Sequence, residues 1–226
     1  MIPKIIHYCW FGNGEKPSKV KKCIESWKKF CPDYEIIEWN EQNFDVNMNG
    51  YTKMCIEEKK YAFLSDFARL FIIENNGGIY FDTDVELVKP IDFLLENDAY
   101  FGFETPDYVQ TGLGFGAVAH SKTVMAMLDE YKPLLDGKHG VITCPKLNTD
   151  ALLKLGLKLG GEKQTVADAL ILPIDYLNPY GSTTGVLKKT ANTVSIHWYS
   201  GSWMSKRQHI RSFFSKPFHR IFKTIS

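Results

Sequence analysis

Short apolar runs alternate along the chain with longer stretches whose apolar positions recur every three or four residues, a pattern that predicts strands and helices in turn. Lys4-Ile5-Ile6-His7-Tyr8-Cys9-Trp10 is an apolar, aromatic run closed by Gly12-Asn13-Gly14, as expected of a buried strand followed by a loop. From Ser18 to Phe30, Val20, Ile24, Trp27 and Phe30 fall at helical spacing, and residues 34–39 read as a second strand. Strand, helix, strand is the opening of a parallel α/β sheet. Residues 40–50 form a polar loop. The clearest helix runs from Tyr61 to Asn76, with an apolar face of Ala62, Phe63, Phe67, Leu70, Phe71 and Ile73, and Gly77 is placed to end it. Residues 78–81 are a strand running into Asp82-Thr83-Asp84, followed by a short extended piece at 85–88. Beyond it the pattern predicts helices at 90–95, 122–135 and 146–155, and strands at 99–103, 115–119 and 193–199. No internal repeat or low-complexity linker interrupts the series, so one domain is expected over residues 1–205, followed by a distinct segment at 206–226.

Composition narrows the class. A chain of 226 residues with 44% hydrophobic and 14% aromatic content buries a substantial core, which excludes disordered, collagenous and coiled-coil chains. The five cysteines (Cys9, Cys23, Cys31, Cys55, Cys144) are odd in number and form no C-x-x-C pair, so they read as reduced thiols rather than disulfides or a zinc site. A cytoplasmic location is the corresponding expectation. The N-terminal run is too short for a secretory signal, and no apolar run approaches the roughly 20 residues that span a bilayer. The net charge of +1 is unevenly spread: residues 176–226 hold eight Lys/Arg and no acid, leaving 19 basic against 26 acidic residues before them. An acidic body is poorly matched to nucleic acid, which is therefore not an expected partner.

The candidate chemistry centres on Asp82-Thr83-Asp84 at the carboxyl end of an apolar strand, where α/β sheets place their ligand crevices. A turn at the strand end lets both carboxylates approach one divalent cation, and hard oxygen ligands suit Mg²⁺ or Mn²⁺. An isolated D-x-D reads equally as a solvated acidic loop. On the preceding helix, Asp66 and Arg69 share a face at (i, i+3) spacing, and the plain alternative for them is a surface ion pair worth under about 1 kcal/mol.

Taken together, Ser65-Asp66-x-x-Arg69 followed by Gly77-Gly78-Ile79-Tyr80-x-Asp82-x-Asp84, the opening Ile2-Pro3-Lys4-Ile5-Ile6-His7-Tyr8-Cys9-Trp10-Phe11-Gly12, and the late His197-Trp198-Tyr199-Ser200-Gly201-Ser202-Trp203 resemble the bacterial members of glycosyltransferase family 32. A more distant likeness is to the glucosyltransferase domains of the large clostridial toxins. The resemblance implies a GT-A fold, a Rossmann-like nucleotide-sugar-binding architecture, and a metal-dependent enzyme that transfers a sugar with retention at the anomeric carbon. Its donor would be a nucleotide sugar, UDP-sugar favoured and GDP-sugar possible, with Mn²⁺ or Mg²⁺ as cofactor. Its acceptor would be a glycan or lipid-linked molecule in bacterial surface polysaccharide synthesis. By the same resemblance, Asp82, Asp84 and Arg69 are the catalytic candidates, Asp82, Asp84 and His197 the metal ligands, and Trp10 stacks on the nucleobase. Asp66 would bind donor hydroxyls, Tyr80 would lie against the nucleotide, and Ser202 and Trp203 would close on the diphosphate. Read alone, Trp10 fits a core tryptophan better than a ligand contact, and His197 a satisfied core histidine.

Three further readings follow. The Gly-punctuated segment 104–114 is expected to loop over sugar or acceptor, and Asp150 is either a carboxylate base or a first-turn helix acid. In the last segment Ile210, Phe213, Phe214, Phe218, Ile221, Phe222 and Ile225 form one helical stripe beside six basic residues, with Pro217 as a kink. That is the pattern of a basic amphipathic helix lying on the anionic inner face of a membrane, against the alternative of a helix packed on the body. Two rival functions compete: a haloacid-dehalogenase-type phosphohydrolase using Asp82 and Asp84, which lacks the expected later G-D-x-x-x-D, and a non-catalytic sugar-binding module.

Overall fold

Strand β1 (Ile5–Cys9), helix α1 (Ser18–Phe30) and strand β2 (Glu35–Trp39) open the fold of the computed structural model, which describes residues 1–200. The two strands pair in parallel, Ile6 beside Ile36, as a right-handed crossover requires. Helix α2 (Gly50–Glu57) follows, in a stretch for which the pattern predicts no element; its signal is Asn49, whose side chain accepts from the Thr52 amide to cap it. Helix α3 (Tyr61–Asn76) then leads through Gly77 into β3 (Gly78–Tyr80), which lies parallel to β1 on the side away from β2.

The tight entry to β3 needs glycine. Gly77 and Gly78 have φ of 65° and 103°, and a Cβ on Gly78 would stand 2.8 Å from the Ile5 carbonyl and 2.9 Å from His7 Nε2. The His7 ring fills that corner. It accepts from Trp39 Nε1 at 3.0 Å through Nδ1 and donates through Nε2 to the Gly77 carbonyl at 3.1 Å. Burial lowers its pKa to about 4, so the ring is neutral and structural.

Beyond Asp82-Thr83-Asp84 come β4 (Val85–Leu87), β5 (Ala99–Thr105), β6 (Tyr108–Val109) and β7 (Phe115–Ala117), then α4 (Lys122–Asp129) and α5 (Cys144–Lys154), and finally β8 (Gln164–Val166), β9 (Ala169–Leu172), α6 (Ile174–Leu177) and β10 (Ser195–His197). The large sheet runs β2-β1-β3-β7-β5-β9-β8, with β6 paired to β5. It is parallel across β2-β1-β3 and between β5 and β9; β7 runs against both β3 and β5 and reverses the direction at the centre. A separate two-stranded ribbon pairs β4 with β10.

Several boundaries differ from the sequence expectation. The helix expected at 122–135 stops at Asp129 and resumes as a 3₁₀ turn, Lys132–Leu134, because Pro133 cannot donate to the helical ladder. The helix expected at 90–95 is reduced to a 3₁₀ turn, Asp92–Leu94. Helix α5 starts earlier, at Cys144, with Pro145 in its first turn. Asp150 is therefore well inside α5, where it pairs with Lys146 at 2.7 Å, and is not a first-turn acid. The strands expected at 115–119 and 193–199 shorten to β7 and β10.

Alternate residues of each strand serve the two faces. Ile6, Tyr8, Ile79 and Tyr100 pack with Trp27 of α1, while Tyr80, Phe101, Phe103 and Phe115 pack with the face of α3 that carries Leu64, Phe67 and Leu70. Trp27 is fully buried and its Nε1 donates to the Val85 carbonyl at 2.8 Å, while Ser26 Oγ accepts from the Leu87 amide at 2.9 Å. Helix α1 thus fixes the strand that follows the Asp82–Asp84 turn. All five cysteines are buried and free. No helix among the described residues is long and apolar enough to cross a membrane, and the segment 206–226 lies outside those residues.

Candidate active site at the end of β3

Strand β3 ends at Tyr80, and the chain turns tightly enough for the Val85 amide to reach the Asp82 carbonyl at 3.0 Å. The turn throws the two carboxylates to different partners. Asp82 faces α3, where Arg69 Nη2 lies 3.2 Å from its Oδ1 and 2.6 Å from Asp66 Oδ1. Arg69 also donates from Nε to the Ser65 carbonyl at 3.1 Å, and its guanidinium sits 5.0 Å from the centre of the Tyr80 ring. With Arg69 only 3% exposed, this is a buried cation held between two acids, and not the surface ion pair that spacing alone allowed. Burial raises the Asp66 pKa to about 6 although Arg69 pulls it down, and it raises that of Asp82 in the same way.

Asp84 faces the ribbon. His197 stands opposite Val85 in the β4–β10 register, and the Trp198 amide donates to the Asp84 carbonyl at 3.0 Å. This brings His197 Nε2 to 3.1 Å from Asp84 Oδ1, while Asp84 Oδ2 accepts from the Ser200 amide at 2.7 Å and its hydroxyl at 3.0 Å. Burial opposes ionisation of Asp84; the imidazole and the Ser200 donors outweigh it and hold the carboxyl well below its usual range. Burial likewise opposes a charged His197, and the Asp84 carboxylate overcomes it to raise the imidazole pKa.

One ligand atom each from Asp82, Asp84 and His197 lies within 4.8 Å of the others. Two carboxylates and an imidazole that converge this closely fit a single divalent ion of the Mg²⁺ or Mn²⁺ type, the nitrogen ligand leaning toward Mn²⁺. His197 Nδ1 is buried without a partner among the described residues, and the ring is held by the ribbon and by Tyr199, whose ring centre is 4.1 Å away.

The other sequence candidates separate. Trp10 lies half-buried at the end of β1, donates from Nε1 to the Gly14 carbonyl at 2.7 Å, and has Lys16 Nζ 5.7 Å from its ring centre; it is not a core tryptophan. Tyr80 is 1% exposed, so it meets the site through Arg69 and presents no face to a ligand. Ser202 and Trp203 lie outside the described residues.

Sequence reasoning missed what packs behind these acids. The 104–114 segment is the end of β5, the short β6 and a 3₁₀ turn, Thr111–Leu113. A Cβ on Gly112 would lie 2.6 Å from Asp82 Oδ2 and 3.0 Å from Arg69 Nη1, so this turn presses directly on the acid–base cluster. Glu104, which burial pushes toward the neutral form, accepts from Tyr199 Oη at 3.0 Å. The clue in the sequence was Thr111-Gly112, a small pair in a polar run; Tyr199 and Ser200 stand in the late motif His197–Trp203, to which no contact with Glu104 or Asp84 was assigned.

Known proteins are similar to parts of this chain. Residues 17–101 match the family model described as a glycosyltransferase sugar-binding region containing a DXD motif. The chain is 31% identical over 119 residues to inositol phosphoceramide mannosyltransferase 3 of Schizosaccharomyces pombe, covering 50% of this chain and 33% of that one. It is 36% identical over 101 residues to the uncharacterized glycosyltransferase L373 of Acanthamoeba polyphaga mimivirus, covering 42% and 40%. It therefore spans well under half the length of either relative. Among solved structures, the PaToxG glycosyltransferase superposes with a TM-score of 0.54 at 22% identity, over 68% of this chain and 69% of that one. A glycosyltransferase involved in glycosylation of the major capsid of PBCV-1 superposes with a TM-score of 0.51 at 11% identity, over 95% and 100%. Residues 17–101 thus match a glycosyltransferase sugar-binding region and contain the D-x-D sequence Asp82-Thr83-Asp84, in a chain with the GT-A fold.

Proposed function

We propose that the chain is a metal-dependent glycosyltransferase that moves a sugar from a nucleotide-sugar donor to a glycan or lipid-linked acceptor, with retention at the anomeric carbon. The observation that carries this reading is the convergence of Asp82, Asp84 and His197 beside the buried Asp66–Arg69 pair. Asp82, Asp84 and His197 would hold Mn²⁺ or Mg²⁺, which when bound stabilises the charge that develops on a leaving diphosphate. Arg69, fixed by two acids and the Ser65 carbonyl, supplies a positive charge that needs no reorganisation as the bond breaks. Asp66 keeps accepting capacity for sugar hydroxyls, and Trp10 offers a partly open ring at the end of a parallel strand for the nucleobase.

A UDP-sugar remains the favoured donor, and the mannosyltransferase named among the relatives makes a GDP-sugar the second to test. That relative's name also supports a lipid-bearing acceptor, in keeping with a role in surface polysaccharide or glycolipid assembly in a bacterium. The apolar stripe and six basic residues of 206–226 would hold such an enzyme on the anionic inner face of the plasma membrane, each basic residue adding about 1 kcal/mol near the surface. Flotation with anionic liposomes, with and without residues 206–226, tests that placement; equal flotation of both chains refutes it.

The test of the activity is donor hydrolysis and transfer with Mn²⁺ across a panel of UDP- and GDP-sugars. Asp84→Ala and chelation with EDTA should both abolish turnover, and NMR of the product anomer reads the stereochemistry. Full turnover in excess EDTA removes the metal from the mechanism. Release of phosphate from p-nitrophenyl phosphate without sugar transfer would instead favour the phosphohydrolase reading.

A further inference from the structure

The Asp66–Arg69 pair has a buried polar layer behind it that the proposed chemistry does not use. Thr111 is fully buried and Cys144 2% exposed, and Asn148, one helical turn along α5 from Cys144, is also fully buried. Their hydrogen bonds run in one consistent direction. Asn148 Nδ2 donates to Thr111 Oγ1 at 3.1 Å and to Cys144 Sγ at 3.4 Å, and Arg69 Nη1 approaches the same Thr111 oxygen at 3.5 Å. With its oxygen so occupied, the Thr111 hydroxyl has Cys144 Sγ, 3.4 Å away, as the acceptor for its own proton. The thiol is also among the groups that pull the Asp66 pKa back down against burial. Burial raises the Cys144 pKa to about 12, so the thiol keeps the proton that makes it a donor.

Two features tie this layer to the site. Gly112, next to Thr111, leaves no room for even a methyl group between the turn and Asp82 or Arg69. The Thr149 hydroxyl accepts from the Val109 amide at 2.9 Å, which fastens α5 to β6 so that the helix and the turn move as one. A thiol, a hydroxyl and an amide, all buried, are a costly way merely to fill a core, the more so because Asn148 Oδ1 is buried with no partner among the described residues.

We infer that Cys144, Thr111 and Asn148 are positioning residues: a hydrogen-bonded layer from α5 that meets Arg69 through Thr111, sets where Arg69 and its partner Asp66 stand, and so how tightly the sugar of the donor is held. The inference rests on the reading of Asp66 and Arg69 as sugar-side contacts of a nucleotide-sugar donor.

The experiment compares affinity for UDP-glucose and GDP-mannose with that for UDP and GDP, all with Mn²⁺, in the full chain. Cys144→Ala should weaken binding of the sugar nucleotide by about fivefold, the size of one lost hydrogen bond, and leave the nucleotide diphosphate unchanged. Cys144→Ser, which keeps a donor, should restore most of the loss, and Thr111→Val should reproduce it while Thr111→Ser does not. A merely structural layer would lower thermal stability and weaken sugar nucleotide and diphosphate alike, or neither, and either result overturns the inference. If the parent chain binds no nucleotide sugar, the proposed function fails first. The infrared S–H stretch then decides the layer alone: a low-frequency band lost in Cys144→Ala and shifted in Thr111→Val supports it, and a Cys144 band at the free-thiol position refutes it.

Discussion

Arg69→Met keeps the length and apolar stem of the side chain while removing the guanidinium, and it forces a choice between two magnitudes. A solvated ion pair is worth about 0.2–1 kcal/mol, whereas stripping one partner from a buried pair costs about 3–5 kcal/mol because the remaining charge is left uncompensated. The side-chain exposures of 3% for Arg69, 15% for Asp66 and 24% for Asp82 put the cluster near the buried limit, with the two acids retaining some contact with water. The lower end of the buried range, about 3 kcal/mol, is therefore expected, which for a domain of this size lowers Tm by roughly 6–12 °C. A second reading comes from the metal. Without Arg69, Asp66, Asp82 and Asp84 repel one another more strongly, so Mn²⁺ should raise the Tm of R69M more than that of the parent chain. Urea denaturation and thermal melts at neutral pH, with and without Mn²⁺, measure both effects. A loss below about 1 kcal/mol, or an equal Mn²⁺ shift in the two proteins, would refute the picture of a buried cation shared by two acids.

Further outcomes follow from the same geometry. Trp10→Ala should weaken binding of the nucleotide with circular dichroism unchanged, whereas Trp27→Ala, which empties a fully buried site, should cost about 3–5 kcal/mol and show in urea melts. Because burial raises the Asp66 pKa to about 6 from an ordinary 3.8, its folded carboxyl takes up a proton before the unfolded one does. Its contribution to stability is full at pH below the unfolded value and is lost as pH rises through about 6, while affinity for the donor sugar, which needs the ionised acceptor, rises over the same range. Asp66→Asn should flatten both profiles in titrations of stability and donor affinity. Gly112→Ala, whose methyl must displace Asp82 or Arg69, should cost about 1–3 kcal/mol by overpacking and cut turnover well beyond what its melting curve explains.

The parts of the molecule legible in the sequence were those whose partners are near in the chain. The periodicity of α3, the Gly77-Gly78 break and the apolar runs of β1 and β2 are local facts, and they led to the strand end on which Asp82 and Asp84 stand. Helix α2 was hidden because its signal is a cap, Asn49, followed by a glycine in the first helical position. The hairpin of β8 and β9 was hidden because each strand is short and its turn uses Ala167 at φ 51°. Asp168, in that turn, caps α4 through the Lys122 and Thr123 amides, more than forty residues away, a link that no spacing rule reports. The site followed the same logic. The Asp66–Arg69 spacing was visible, but its burial depends on β7 and the Thr111 turn arriving from elsewhere, and the layer of Cys144 and Asn148 is joined to it only in three dimensions.

The ribbon of β4 and β10 bears on how the protein is made. Every strand of the large sheet ends by Leu172, so a growing chain can complete that sheet, and bury most of its core, while Ser195–His197 is still being added. Asp82 and Asp84 then exist as an acidic turn with no imidazole and no Ser200 to hold them. The last described segment must fold back across 112 residues of sequence before Trp198 can reach Glu86 and His197 can reach Asp84. A polypeptide stalled on the ribosome short of that point would have the architecture without the proposed metal site, so synthesis itself would delay the proposed activity until the body that must contain it has formed.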